Sequence, residues 1–564
     1  MSRRGDLDKG LTNYGDPDFA SYLRRSFAKS MGYSSEMLGR PIVGLATSAS
    51  GFNNCHRLTP ELVEAISRGV LAAGGLPLPF PTISLGEVFL NPTSLVFRNL
   101  MSMDVEEMIR AQPMSAVVLV GGCDKTVPAQ LMGALSAGVP AIQLVVGPMM
   151  TGRYNGERLG ACTDCRRFWG RFRSGQTTAA EIEEIENNLA VTAGTCAVMG
   201  TASTMACLAE ALGMALPDSA SAPAAHADRL RIAEATGAEA VKLARAGTVP
   251  AAIVTREAIE NAARVLLAIG GSTNGVIHLA AIAGRAGLSL DLRALNALSA
   301  TTPVLVNLKP TGEHYMEDFH AAGGMHAVLQ ELEPLLHLDC VSVTGERLGD
   351  RLKRRRPYVD RAIVRPLSEP FRANGGLVAL FGNLAPNGCV LKRAAADERL
   401  FEHTGRAVVF TDLNDLSARI DDPALDVTPD DVLVLQNAGS IGAGMPEAGY
   451  LPIPAKLAKG GVKDMVRVSD ARMSGTAFGT VVLHISPESA VGGPLGLVRN
   501  GDRIRLSVSE QRIDVLLSDE ELATRRGAGT RAVPERGYAR LYAQSVLGPE
   551  LGCDFDFLRA RPHT

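Results

Sequence analysis

PIVGLATS (41–48), TPELVEAISRGVLAAGG (59–75), SAVVLVGG (115–122), VPAQLMGALSAG (127–138) and VPAIQLVVG (139–147) alternate short apolar runs with helical patterns. That alternation predicts parallel strands joined by crossover helices, an α/β domain with a parallel sheet and flanking helices. In such sheets ligands collect beyond the carboxyl ends of the strands. Cys123, Asp124 and Lys125 come directly after SAVVLVGG, and Cys55 follows PIVGLATS by a short loop.

Outward from this core, residues 224–290 show apolar positions at helical spacing and are expected to wrap the sheet. Around RLKRRRPYVDRAIVRPLSEPF (351–371) the chain turns basic and proline-containing, as a linker does. Beyond it GGLVALFG, RAVVFTD, DDVLVLQN, DMVRVSD, GTVVLHIS and DRIRLSVSEQRIDVLL recur between turn residues. They predict a second, β-rich domain, barrel-like or sandwich-like. The expected division is 1–365 and 366–564, since 564 residues exceed what one core usually holds.

Hydrophobic residues make up 46%, charged residues 21%, and the formal net charge is -3, so neither a nucleic acid nor an anionic membrane is expected as a partner. Leu189 to Ala209 runs without a charge for the length of a membrane span, but it is rich in Thr, Ser, Gly and Ala. A buried, glycine-interrupted helix is expected there. The opening MSRRGDLDKGLTNYGDPDF carries several acids and no apolar core, unlike a signal or transit peptide, and a cytoplasmic location is the expectation.

Nine cysteines, an odd number on a long chain, fit reduced thiols better than a disulfide framework. Three of them, Cys55 in FNNCHR, Cys123 in GGCDKT and Cys196 in AGTCAVMG, sit in polar, glycine-containing segments. Soft thiolates favour iron-sulfur, zinc or copper(I). A fully ligated cluster takes four cysteines, so a set of three suggests an iron-sulfur centre with one iron open as a Lewis acid. CTDC (162–165) is a lone C-x-x-C with no second pair or paired histidines, and RRFWGRF follows in place of the helix that a redox motif would open. Structural thiols are expected there, as for Cys207, Cys340, Cys389 and Cys553.

Glu87, Asp124 and Glu447 lie in glycine-marked turns, and hard carboxylate oxygens of this kind suit magnesium. Lys125 is open to an ion-pair role beside them. In VSDARMSGTAFGTVVLH, Ser474 and Thr476 occupy a glycine-bracketed turn between two strand-like runs. A hydroxyl near a Lewis-acidic metal is able to act as a base, and the competing reading is ordinary turn chemistry, the hydroxyls bonding their own backbone. QNAGSIGAGMPE does not match a dinucleotide fingerprint, so no nicotinamide cofactor is expected. His56 and His278 read as structural hydrogen-bonding histidines.

NNCH (53–56), GEVF (86–89), GGCDKT (121–126), GTCAVMGTAST (194–204), GGSTN (270–274), GMPE (444–447) and SDARMSGTAFGT (469–480) together resemble one family, the dihydroxy-acid and sugar-acid dehydratases, over nearly the whole chain. The resemblance implies an N-terminal α/β domain, a C-terminal β-barrel-like domain, and loss of water from a 2,3-dihydroxy acid to give a 2-keto-3-deoxy acid. It implies a cluster on Cys55, Cys123 and Cys196, of the 2Fe-2S type that the sugar-acid members carry, with 4Fe-4S still open. It also implies Mg2+ on Glu87, Asp124 and Glu447, with Lys125 at the position that family members carbamylate. Ser474 matches the family's base, with Thr476 and Thr201 positioning substrate oxygens.

The wording SDARMSGTAFGT is similar to the sugar-acid branch, which favours aldonates such as arabinonate or xylonate. GSIGAGMPEAGYLPIPAK departs from that branch and leaves a branched-chain dihydroxy acid, or relaxed specificity, open. The family also suggests a homodimer or a homotetramer of dimers. A different class, an iron-sulfur redox carrier or sensor, would use the same cysteines without needing magnesium.

Overall fold

The computed structural model describes residues 5–355, 358–526 and 533–561. The first four residues of the acid-bearing opening segment, and 356–357 of the basic stretch read as a linker, lie outside them.

After helix α1 (Pro17–Ser30), four strands form a parallel sheet: β1 (Ile42–Thr47), β2 (Leu76–Pro81), β3 (Ala116–Gly121) and β4 (Ala141–Val145). Their order is β2-β1-β3-β4. The crossovers are α2 (Thr59–Ala72) and α4 (Thr126–Ala137), as the alternation of runs predicts, and α3 (Ser94–Ala111), which with β2 lies between the runs read from the sequence. β3 and β4 are buried along their whole length, because helices cover both faces of the sheet and leave no side for water.

A two-stranded hairpin, β5 (Gly152–Tyr154) and β6 (Glu157–Leu159), leads into α5 (Thr163–Arg173) and α6 (Ala179–Leu189). Contrary to the expectation from sequence, a helix does open at CTDC: Cys162 is the N-cap of α5, which starts at Thr163 and contains RRFWGRF. Its pattern is hard to read because only Phe168 among its apolar side chains is buried. The uncharged run from Leu189 is not one interrupted helix either. Residues 190–200 are an extended loop, bridged to the end of β4 through Pro148 and Thr195, and only α7 (Thr201–Ala211) is helical. Among the described residues no helix is long and apolar enough to cross a membrane. α8 (Ala227–Ala246), α9 (Arg256–Ala268) and α10 (Asn274–Arg285) fill the region expected to be helical.

The second sheet has eight strands: β7 (Val378–Leu380), β8 (Gly388–Leu391), β9 (Glu402–Phe410), β10 (Val432–Leu435), β11 (Arg467–Ser469), β12 (Val481–Ser486), β13 (Arg503–Ser507) and β14 (Arg512–Val515). Their order is β14-β13-β9-β10-β11-β12-β8-β7, mixed in direction. A bridge between Phe381 and Arg512 nearly joins the first strand to the last, so the sheet is barrel-like. Alternate residues of β9 and β10 serve two cores: Ala407, Val409, Val432 and Val434 pack inward, and Val408, Phe410, Leu433 and Leu435 pack against flanking elements.

Candidate active site

The order β2-β1-β3-β4 makes β1 and β3 the point where crossovers diverge to opposite sides, and loops leaving such a point open a crevice. The loop after β1 carries Cys55, the loop after β2 carries Glu87, and the loop after β3 carries Cys123, Asp124 and Lys125. All but the fully buried Lys125 line one cavity of about 580 Å³, which Cys162, Cys196, Thr201, Glu447, Ser474 and Thr476 also line. Thus nine of the ten expected residues, from both halves of the chain, face the same space.

The thiol loops are fixed by His56. Its Nδ1 lies 2.8 Å from the Ser48 carbonyl, and its Nε2 accepts from the backbone N–H groups of Gly122 at 3.0 Å and Cys123 at 3.2 Å. An imidazole that accepts on Nε2 stays neutral, and burial holds its pKa down at about 4. His56 is therefore a structural histidine, as read, and so is His278, which faces the buried Arg98 guanidinium at 3.1 Å. All nine cysteines are free. Cys55 and Cys123 line the same cavity, and Cys196 Sγ lies 3.3 Å from Cys162 Sγ. Cys162 was read as structural, yet it stands in the cavity wall. The Cys165 and Cys196 thiols hold its own thiol well below the usual range.

Next to the Cys123 thiol, which lies 3.7 Å from Asp124 Oδ1, ligand oxygens of Glu87, Asp124 and Glu447 lie within 4.8 Å of one another. The Lys125 ammonium bonds Asp124 and stands 3.3 Å from Glu87. Arg472, given no role by the sequence reading, is fully buried and bridges Glu447 at 2.6 Å and Glu87 at 2.9 Å. Against the cost of burial, Lys125 and Arg472 hold the Glu87 carboxyl well below its ordinary range. Burial, followed by the Glu87 charge, pushes Asp124 up to about 7. Three carboxylates crowded beneath two fixed cations form a hard-oxygen set, and the chemistry of that set fits a dication.

The serine turn reaches the cavity because two motifs build a seat for it. Gly449 N–H donates to Arg472 O at 2.9 Å, pairing the GMPE turn with the segment before Ser474. Asn274 Nδ2 donates to Thr201 Oγ1 at 3.0 Å and to Met473 O at 3.2 Å, tying GGSTN to both. Gly475 must lack a side chain: a Cβ there would lie 2.7 Å from Thr201 N and from Ser272 Oγ. Ser474 Oγ lies 2.8 Å from Thr476 Oγ1 and also accepts from Thr476 N–H at 3.4 Å, so the turn-chemistry reading holds alongside exposure to the cavity. Beneath the turn, the fully buried Lys392 donates to Gly475 O at 3.3 Å, and burial brings its pKa down to about 7.

Sequence reasoning also passed over Arg57 and Arg166, whose side chains line the cavity. The signal was present, since each follows a cysteine motif closely. In the glycine loop of QNAGSIGAGMPE, the carboxylate of Glu488 takes the N–H groups of Ile441 and Gly442 at 2.9 and 2.7 Å.

The model of the dihydroxy-acid/6-phosphogluconate dehydratase N-terminal region matches residues 40–351, and that of the C-terminal region matches 362–553. The L-arabonate dehydratase of Azospirillum brasilense is 46% identical, over 97% of this chain and 96% of its own. The 6-deoxy-6-sulfo-D-gluconate dehydratase of Pseudomonas putida is 45% identical, over 93% and 92%. The dihydroxy-acid dehydratase of Syntrophobacter fumaroxidans is more distant at 37%, over 94% and 96%.

Proposed function

The chain belongs to the dihydroxy-acid/6-phosphogluconate dehydratase family, a family of metal-dependent hydro-lyases, and from that premise we propose that it dehydrates an aldonate sugar acid, such as L-arabinonate or D-xylonate, to the 2-keto-3-deoxy acid. The observation that carries this reading is the convergence of thiols, carboxylates and the Ser474–Thr476 pair on one cavity. The substrate class follows the relatives, since the two sugar-acid dehydratases are 45–46% identical and the dihydroxy-acid dehydratase 37%.

Cys55, Cys123 and Cys196 would hold a 2Fe-2S cluster, and Glu87, Asp124, Glu447 and a carbamylated Lys125 would hold Mg2+. When bound, these groups supply Lewis acidity toward the substrate's C3 hydroxyl and toward its carboxylate and C2 hydroxyl. Ser474, as the alkoxide, takes the C2 proton. Three features of the chain favour charge on that oxygen: the Thr476 hydroxyl beside it, the Thr476 N–H, and the N-terminus of α7 against which the turn is seated. As the C2 proton goes to Ser474, the C3–O bond breaks; the departing hydroxide takes that proton from Ser474 and leaves as water, which restores the alkoxide, and the enol tautomerises to the 2-keto acid. Thr201 and Thr476 position substrate oxygens, and Arg57 and Arg166 offer the charge-assisted donors that a polyhydroxy anion needs along its length.

A cytoplasmic homodimer, or a tetramer of dimers, completes the reading. Exposed Phe52, Val88 and Phe89 beside the cavity suit burial against a second copy. The test is 2-keto acid formation by anaerobic, magnesium-supplied protein on L-arabinonate, D-xylonate, D-gluconate and 2,3-dihydroxyisovalerate side by side. Preference for a pentonate or hexonate supports the proposal. Preference for dihydroxyisovalerate would move the chain to branched-chain acid chemistry.

A further inference from the structure

The three-cysteine set leaves one question at the cavity wall. A fully ligated 2Fe-2S cluster takes four cysteines, two on each iron. The cavity is lined by four thiols in two pairs, and each pair is bracketed by its own backbone bonds. Cys55 and Cys123 are joined through His56, which sits next to one and accepts from the N–H of the other. Cys162 and Cys196 are joined through Ala197 N–H donating to Ala161 O at 3.1 Å, a bond between the residues that adjoin the two cysteines.

The Cys162–Cys196 separation is informative. At 3.3 Å it is far beyond a disulfide bond of about 2.05 Å. It lies within about half an ångström of the spacing of two thiolates on one tetrahedral metal with metal–sulfur distances near 2.3 Å. The turn that carries Cys162 is also built to stay in place. Buried Asp164 accepts from Gly160 N–H at 2.8 Å and from the Tyr315 hydroxyl at 3.0 Å, and Thr163 Oγ1 donates to Thr476 O at 3.1 Å. Cys165, by contrast, does not line the cavity.

We propose that Cys162 is a fourth thiolate ligand of the cluster in the substrate-free chain, bound to the same iron as Cys196 and displaced from it by substrate. The proposal rests on the reading of Cys55, Cys123 and Cys196 as cluster ligands. On substrate entry the Fe–Sγ bond to Cys162 breaks as an Fe–O bond to the C3 hydroxyl forms. Cys162 leaves as the thiolate, the hydroxyl keeps its proton, and no electron is transferred. The closed form keeps small oxidants off the iron until a substrate oxygen takes the position.

The test compares anaerobically reconstituted wild type, C162S, C162A and C165S by iron and sulfide content, visible absorption, and Mössbauer spectra, each with and without L-arabinonate. In substrate-free wild type, every iron should show an all-sulfur environment, and one should become mixed sulfur–oxygen on addition of the sugar acid. C162S and C162A should hold the cluster with shifted absorption bands and a mixed iron from the start, and C165S should follow wild type. A substrate-free wild type whose spectrum already contains a mixed iron, or coincides with that of C162S, would overturn the assignment of Cys162 while leaving the three-cysteine cluster standing. Wild type that binds no iron or sulfide would overturn the cluster reading itself. Should the Cys162 variants fail to fold, the wild-type Mössbauer comparison decides alone.

Discussion

Ser474 carries the proposed chemistry, and Lys392, buried beneath its turn, carries a cost in stability. Removing the Ser474 hydroxyl deletes the proposed base without touching the thiols or carboxylates. S474A should keep its fold and its cluster absorbance and lose at least ~100-fold in kcat. Lys392 titrates near 10.5 when unfolded and near 7 in the fold. Between those values the unfolded chain holds more protons, so stability rises with pH across that window, and the destabilising effect of this lysine is fully present below about pH 7. K392M should therefore raise Tm at pH 7 and flatten the increase toward pH 10 in a thermal melt series. A variant whose pH profile matches wild type would show that Lys392 does not titrate there. Neither Lys392 nor Arg472 was legible as a buried cation, because composition places such residues at the surface and only their long-range partners explain the exception.

At the scale of elements, β1, β3 and β4 were legible as continuous apolar runs, whereas β2, a proline-broken LPLPFP with exposed positions, and α3 after it were not. The loops after β1 and β3 were legible as a site because Cys55 and Cys123 to Lys125 follow strand ends, while Glu87 was legible only from its glycine-marked turn. The small strand β8 escaped, being four residues closely preceded by a proline–asparagine turn, and so did the bridge from Phe381 to Arg512, which no local pattern encodes. Helix α5 escaped because its charged surface conceals its single buried face, and with it went the position of Cys162 in the cavity. The seat of the serine turn makes an element-level prediction. G475A places a Cβ against Thr201 N and Ser272, so the turn must move away from α7. Its kcat should fall tenfold or more with a smaller change in KM, and unchanged kinetics would show that the close approach is not needed.

Across the whole molecule, the two sheets are held to one another by buried charge. Arg472 links Glu87 of the first half to Glu447 of the second. Near the C-terminus, Asp554 pairs with Arg285 of α10 at 2.7 Å with both side chains fully buried, and Arg98 of α3 donates to the carbonyls of Gly552 and Cys553 at 2.7 and 2.8 Å. Removing one partner of such a pair leaves an uncompensated charge. D554A should lose about 3–5 kcal/mol in a denaturant titration, and the double variant R285M/D554L should recover most of it. A neutral D554A would mean that the tail does not latch the halves together.

The central claim, that one cavity performs base-initiated loss of water from a sugar acid, is met most directly by following L-arabinonate deuterated at C2. With wild-type protein, anaerobic and supplied with magnesium, NMR should show the 2-keto-3-deoxy acid appearing as the C2 deuteron is lost to solvent, and S474A should show neither change. Keto-acid release at the wild-type rate by S474A, or no reaction with any aldonate while cluster and magnesium are in place, would contradict the account.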